Sequence, residues 1–124
     1  MPHEDGPLFY PTVSTISLGS HTFLDYYEPM SENENDGTSL DDRYFTSILL
    51  EPRSLILVCD DMYKLYLHGI AERTTDILNS KVANIDKYAA AIGQTLTRET
   101  RISLTIIRHV PKVLVKGDIN EATA

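Results

Sequence analysis

Three separated groups of side chains in this chain have the types and spacing to act on a metal ion and an organic acid. The first is His3-Glu4-Asp5. In an extended segment residues i and i+2 point to the same side, so His3 and Asp5 would present an imidazole and a carboxylate to one ion. Alone the pattern is weak, because a short His-x-Asp arises readily by chance and a polar chain end explains it equally well. The second is His68, set in Tyr66-Leu67-His68-Gly69-Ile70. A histidine in an apolar strand must satisfy two ring nitrogens among few polar neighbours. A core histidine bonded to a backbone carbonyl does this; so does a metal ligand, and Gly69 then leaves room for close approach. Two histidines and one carboxylate would form a facial triad with open coordination positions, the ligand set of non-haem Fe(II) oxygenases.

The third group is the segment Arg101-Ile102-Ser103-Leu104-Thr105-Ile106-Ile107-Arg108. Strand alternation puts Arg101, Ser103 and Thr105 on one face and Ile102, Leu104 and Ile106 on the other. The polar face is either a solvated outer wall or the lining of a barrel mouth. In a mouth, the guanidinium needs a carboxylate, since an unpaired buried charge is too costly. A dicarboxylate cosubstrate would supply one, gripped bidentately by Arg101 with the Ser103 hydroxyl beside it.

The elements that must hold these groups read mostly as strands. Thr12 to Ser17 is alternating and β-branched, and His21 to Tyr27 carries three aromatic residues; the two look like a hairpin around Leu18-Gly19-Ser20. Residues 30–42 are acidic and polar without periodicity, a surface loop. Arg43 to Leu50 is a strand candidate, Glu51-Pro52-Arg53-Ser54 a turn, and Leu55 to Val58 a short apolar run with the pattern of a strand buried on both faces. Asp60 to Lys64 fits one helical turn, and Leu65 to Ile70 another apolar strand. Between Glu72 and Ala91 the pattern weakens: Thr75 to Leu78 and Ile85 to Ala89 fit short helices or an extended insertion. Arg101 to Arg108 is a clean period-2 strand, followed by Val110 to Val115. The coarse reading is a β-rich domain of six to eight short strands.

Composition narrows the function classes. The chain has 124 residues, 42% of them hydrophobic and 23% charged, which suits one globular domain rather than a disordered or fibrous chain. Its one cysteine rules out an intramolecular disulfide framework and points to a reducing, intracellular setting, cytoplasm or nucleus. No apolar run approaches the roughly 18 residues that cross a bilayer, so no membrane role is expected. A net charge of -7 disfavours nucleic-acid binding by bulk electrostatics; any such role needs a local site or a further part of the protein.

Taken in order, these motifs carry a family resemblance. Pro2-His3-Glu4-Asp5-Gly6-Pro7-Leu8-Phe9-Tyr10-Pro11 with Val13 to Gly19 resembles the metal-binding strand of AlkB-type Fe(II)/2-oxoglutarate dioxygenases, nearest in wording to the homologue 6 subfamily. Leu65 to Ile70 resembles the segment bearing the family's second histidine, and Arg101 to Thr105 its cosubstrate strand. Order and spacing fit over most of the chain. The resemblance implies a mainly β fold, a partial double-stranded β-helix (jelly roll) with one or two short helices or loops. It implies Fe(II) held by His3, Asp5 and His68, and 2-oxoglutarate chelating the iron with its distal carboxylate on Arg101 beside Ser103. With O2 as cosubstrate, the implied reaction yields succinate and hydroxylates a C–H bond, in many members on an N-linked methyl group of a nucleobase.

The sequence departs from the family in two places. A second arginine, expected six residues after the first, is Ile107 here, with Arg108 one position later. The family also carries a long stretch before its first ligand, with helices covering the sheet, nucleotide-gripping loops and an Asn-x-Tyr pair at the cosubstrate. The expectation is therefore that residues 1–124 form the C-terminal part of a dioxygenase domain, with a nominally complete metal site and an incomplete substrate site. The alternative is a non-catalytic truncated form acting through an exposed sheet edge and the 30–42 loop. A small cupin-like binding module would need more His or Glu ligands near the third motif than the chain has.

Overall fold

A computed structural model of the chain describes Pro2, Gly37 and residues 9–29 and 39–109, with the backbone alone at residues 9–11, 88–90 and 108–109. His3 and Asp5 therefore lie outside the described residues, as do residues 30–36 and 38 of the acidic stretch and the segment expected at 110–115. In chain order the strands are β1 (Phe9–Leu18), β2 (Thr22–Tyr27), β3 (Tyr44–Leu50), β4 (Ser54–Cys59), β5 (Leu67–Gly69), β6 (Thr75–Ile77), β7 (Thr95–Thr97) and β8 (Ile102–His109). Two short helices, α1 (Leu40–Arg43) and α2 (Asp60–Lys64), and a 3-10 helix at Ile85–Ala91 complete the set. The domain is mainly β, as the alternation implies, and its antiparallel sheets and short helices are those of a partial jelly roll. Among the described residues, no helix is long and apolar enough to cross a membrane.

Two three-stranded sheets, ordered β4-β1-β8 and β3-β2-β5, form the body. The β-branched run from Thr12 to Ser17 explains why β1 is the long central strand of the first. It is antiparallel to β4 through Val13↔Val58 and Ser17↔Ser54, and to β8 through Thr15↔Thr105 and Ser17↔Ser103. β2 pairs with β3 through Leu24↔Ile48 and with β5 through Tyr26↔His68.

The hairpin expected around Leu18-Gly19-Ser20 does not form. β1 and β2 belong to different sheets, and this corner carries the chain from one to the other. Gly19 sits at φ +84°, and a Cβ there would run into the Thr100 carbonyl oxygen, so the glycine serves a close backbone approach as well as a left-handed turn. β4 corrects a second expectation. Its apolar run is not buried on both faces: Ile56 and Val58 point inward, while Leu55 and Leu57 are 61% and 58% exposed. Pleating sends alternate residues outward, and nothing among the described residues covers that side. Further along, α1 takes up the end of the acidic stretch, with Ser39 and Asp42 forming a capping box, so the strand begins at Tyr44 rather than Arg43. Asp60 to Lys64 is helical as expected, with Asp60 and Asp61 in its first turn and Lys64 in its last, the charge order a helix dipole favours.

The weakly patterned stretch after Ile70 folds onto the outer face of the second sheet. Thr75–Ile77 is a strand, pairing with β7, and the Ile85 segment is a 3-10 helix. Leu78 and Val82 from this layer pack on Phe23 and Leu49, all 4% exposed or less. Burying such side chains contributes about 1.5–3 kcal/mol each. A polar network reinforces the packing. Asp76, whose side chain has no exposure, accepts from Arg73 Nε at 2.6 Å and Arg98 Nε at 2.6 Å, and lies 2.9 Å from His21 Nε2. Asp25 on β2 accepts from Ser47 Oγ at 2.5 Å and from Arg73 Nη2 at 3.3 Å. All six β2 residues are buried, because inner core covers one face and this added layer the other.

Burial by itself would raise the Asp76 carboxyl, but the donors from Arg98, Arg73 and His21 outweigh it and hold the group below its ordinary 3.8. A depressed carboxylate contributes stability that is complete above the ordinary value and is lost as pH falls through the lowered one. Asp76→Asn should lose about 3 kcal/mol at pH 7, since one partner of a buried network is removed. In urea denaturation the gap to wild type should persist at pH 5 and close only below about pH 3.8; a gap already closed at pH 5 would reject the account. Gly19→Ala should cost roughly 1–3 kcal/mol by the same measurement, from left-handed strain plus steric overlap.

Candidate active site

The two sheets face each other across a cleft of about 210 Å³. β1 contributes Val13 and Thr15 to its wall, β4 Ile56 and Val58, and β8 with the residue before it Arg101, Ser103 and Thr105. The opposite sheet supplies Leu24, Leu50, His68, Gly69 and Ile70. Strand parity explains the set. The residues that point outward from the same strands are Leu55, Leu57, Ile102, Leu104 and Ile106, each at least 51% exposed. The polar Arg-Ser-Thr face thus lines the open cleft, where Ser103 and Thr105 remain exposed, and the apolar face of β8 is the outer wall.

His68 is held on β5 opposite Tyr26, with ring centroids 5.9 Å apart and Tyr26 only 1% exposed. Arg101 lies immediately before β8. Its Nη2 donates to Ser17 Oγ at 2.9 Å, and Ser17 is fully buried. Its Nε is buried with no hydrogen-bond acceptor among the described residues, and among them it forms no ion pair. Burial, with the like charge of Arg98 added, draws the guanidinium down from its ordinary value. Thr15 and Thr105 meet across the strands with hydroxyl oxygens 3.1 Å apart. Ile107, where the family pattern has an arginine, packs against the Val13, Val58 and Tyr63 cluster at one end of the same inward face.

Of the residues singled out by the sequence, His68, Arg101 and Ser103 come together in one cleft from two different sheets. His3 and Asp5 belong to the segment leading into β1 and lie outside the described residues. Among the described residues, no group of three or more His, Cys, Asp or Glu side chains is placed to hold a metal. Ser17 and the Thr15 hydroxyl were missed by motif reasoning. The signal was present in the alternation of Val13, Thr15 and Ser17, which places both hydroxyls on one face of β1. A larger cavity of about 480 Å³ lies on the outer side of the second sheet, around Asp25, Tyr27, Arg73 and Asp76. Its buried charges already satisfy one another, so the smaller cleft is the better candidate for ligand chemistry.

No protein-family model matches the chain. The zebrafish (Danio rerio) protein named "Probable RNA/DNA demethylase ALKBH6" is 52% identical over 115 residues, which cover 92% of this chain and 49% of that protein. An uncharacterized protein of Acanthamoeba polyphaga mimivirus is 33% identical over 120 residues, covering 94% of this chain and 45% of its own length. The chain spans about half the length of these curated relatives. Over the half that it spans, the chain is an AlkB-type homologue, close to ALKBH6.

Proposed function

We propose that this chain forms the C-terminal half of an Fe(II)- and 2-oxoglutarate-dependent dioxygenase that oxidatively dealkylates nucleic acid. The observation that carries the reading is the joint placement of His68 and Arg101 in one cleft, from facing sheets. An imidazole on one wall and a half-buried guanidinium without a carboxylate partner among the described residues on the other suit a ligand that binds a metal at one end and carries an anion at the other. The name of the zebrafish relative supports a nucleic-acid substrate.

The donor chemistry of the cleft fits both groups. His68, with His3 and Asp5, would hold Fe(II), and the buried Nε of Arg101 is a donor with no acceptor among the described residues. Bound Fe(II) with O2 and 2-oxoglutarate supplies the oxidising power for C–H hydroxylation, the cosubstrate leaving as succinate. The chain's own residues bind and orient. Arg101 receives the distal carboxylate, and the Ser103 hydroxyl stands on the same face two residues on. Leu24, Leu50, Ile56 and Val58 give the cleft an apolar wall, which lowers the local dielectric and strengthens the charged contact.

A second reading has its own observation. The outer wall of β4 and β8 exposes five large aliphatic side chains, an apolar face of the kind that marks an interaction surface. On that reading this half binds partners without turning over. Succinate formation from 2-oxoglutarate with iron and ascorbate separates the two, since any turnover dependent on His68 removes it.

Two substitutions test the main reading by binding. His68→Ala should abolish Mn(II) binding measured by calorimetry, and leave the circular-dichroism spectrum unchanged. Arg101→Ala should retain Mn(II) binding and weaken 2-oxoglutarate by about ten- to a hundredfold, as expected for losing a hydrogen-bonded charge. Metal binding indifferent to His68, or cosubstrate binding indifferent to Arg101, would overturn the assignment.

A further inference from the structure

Resting on that reading of the cleft, we infer that Ser17 is a positioning residue for the carboxylate anchor: its buried hydroxyl holds the Arg101 guanidinium in place while leaving its charge free for the ligand. The end of β8 supplies the problem. The β1–β8 pairing ends at Leu18↔Ile102, so Arg101 stands one residue beyond the ladder. A long side chain there has many rotamers, and fixing it for a ligand carries a large entropic penalty unless something holds it beforehand.

The corner formed by Ser17 and Gly19 supplies that hold. β1 is paired on both sides at Ser17, with Ser54 and Ser103, and the Ser17 carbonyl accepts from Arg53 N–H at 2.6 Å. Its Oγ is therefore fixed by the most constrained strand of the sheet. From there it accepts from Arg101 Nη2 at 2.9 Å, at zero exposure. Gly19 adds a backbone constraint, since the space a Cβ would occupy is taken by the Thr100 carbonyl and bounded by the Arg101 Cα at 3.7 Å. Backbone and side chain of the anchor are thus located by one corner.

The chemistry of the partner matters as much as its position. A hydroxyl takes one N–H and leaves the full positive charge, whereas a carboxylate would neutralise it and compete with the ligand. The neighbouring Arg98 shows the contrast. Its Nε and Nη2 are bound to Asp76, at 2.6 and 2.8 Å, and that guanidinium is committed to the fold. Two arginines three residues apart are sorted into structure and ligand binding by the partner each one meets.

A thermodynamic cycle on the full chain tests this, with 2-oxoglutarate binding to the Mn(II)-loaded protein as readout. Ser17→Ala should raise the 2-oxoglutarate Kd about tenfold and leave Mn(II) affinity near wild type. In an Arg101→Ala background, Ser17→Ala should have no further effect on that Kd, because the group it positions is gone. Ser17→Thr, which keeps the hydroxyl, should restore affinity. Should the alanine variant fail to fold, Ser17→Cys, isosteric with a much weaker acceptor, reports the same loss. Equal Kd values for wild type and Ser17→Ala, or additive losses in the double variant, would overturn the positioning role alone. An Arg101→Ala variant with wild-type affinity would overturn the reading of the cleft itself.

Discussion

A half-buried guanidinium with no carboxylate beside it, among the described residues, is the constraint on which the rest of this structure turns. Removing a charge from water is expensive, and proteins usually offset the expense with an opposite charge. At Arg98 that is what happens, through Asp76. At Arg101 the partner among the described residues is the neutral Ser17 hydroxyl, and burial pulls the group down from its ordinary value instead. Such an arrangement persists when the surrounding fold over-determines it, and it is what the proposed binding of an anion in the cleft rests on. The sheets, the corner at Gly19 and the outer layer can each be understood by how they hold that charge opposite an imidazole.

How much of this could be read from the chain depends on which kind of information each feature needed. Period-2 alternation assigned Arg101, Ser103 and Thr105 to one face of β8, because parity is a local property of extended backbone. Which face is wet is not local. Leu55 to Val58 reads as doubly buried since all four residues are apolar, yet two of them face solvent. In the same way Leu18-Gly19-Ser20 carries every mark of a tight turn, and the sequence cannot distinguish a turn within a sheet from a turn between sheets. The deciding contact, from Gly19 to Thr100, spans most of the chain.

Buried charge was the least legible feature. The chain has 18 Asp and Glu residues, and nothing local marks Asp25 and Asp76 as the ones that, among the described residues, end up inside. Their burial depends on Arg73 and Arg98 arriving from a stretch with no clear periodicity. Ser17 was hidden for a related reason: a serine in a β-branched strand is unremarkable until the strand that faces it is known. The candidate site was recognisable by His68 and Arg101, the side chains proposed to hold a metal and an anion, while the residues that aim them were not.

The outer network and the cleft are two faces of one strand. Asp25 and Tyr26 are neighbours on β2, and their partners on β5 are Gly69 and His68. Asp25 turns outward into the bonds with Ser47 and Arg73, and Tyr26 turns inward against the His68 ring. β5 is only three residues long and, among the described residues, pairs with β2 alone, so β2 is its main described purchase on the fold. A strand that short frays readily unless its partner is rigid. The polar network and the Phe23 cluster lock β2 from outside, which gives the imidazole a fixed platform on the inside. Arg73 and Asp76, on the far side of β2 from the cleft and satisfied within the outer network, thereby support the strand that holds His68 across from Arg101.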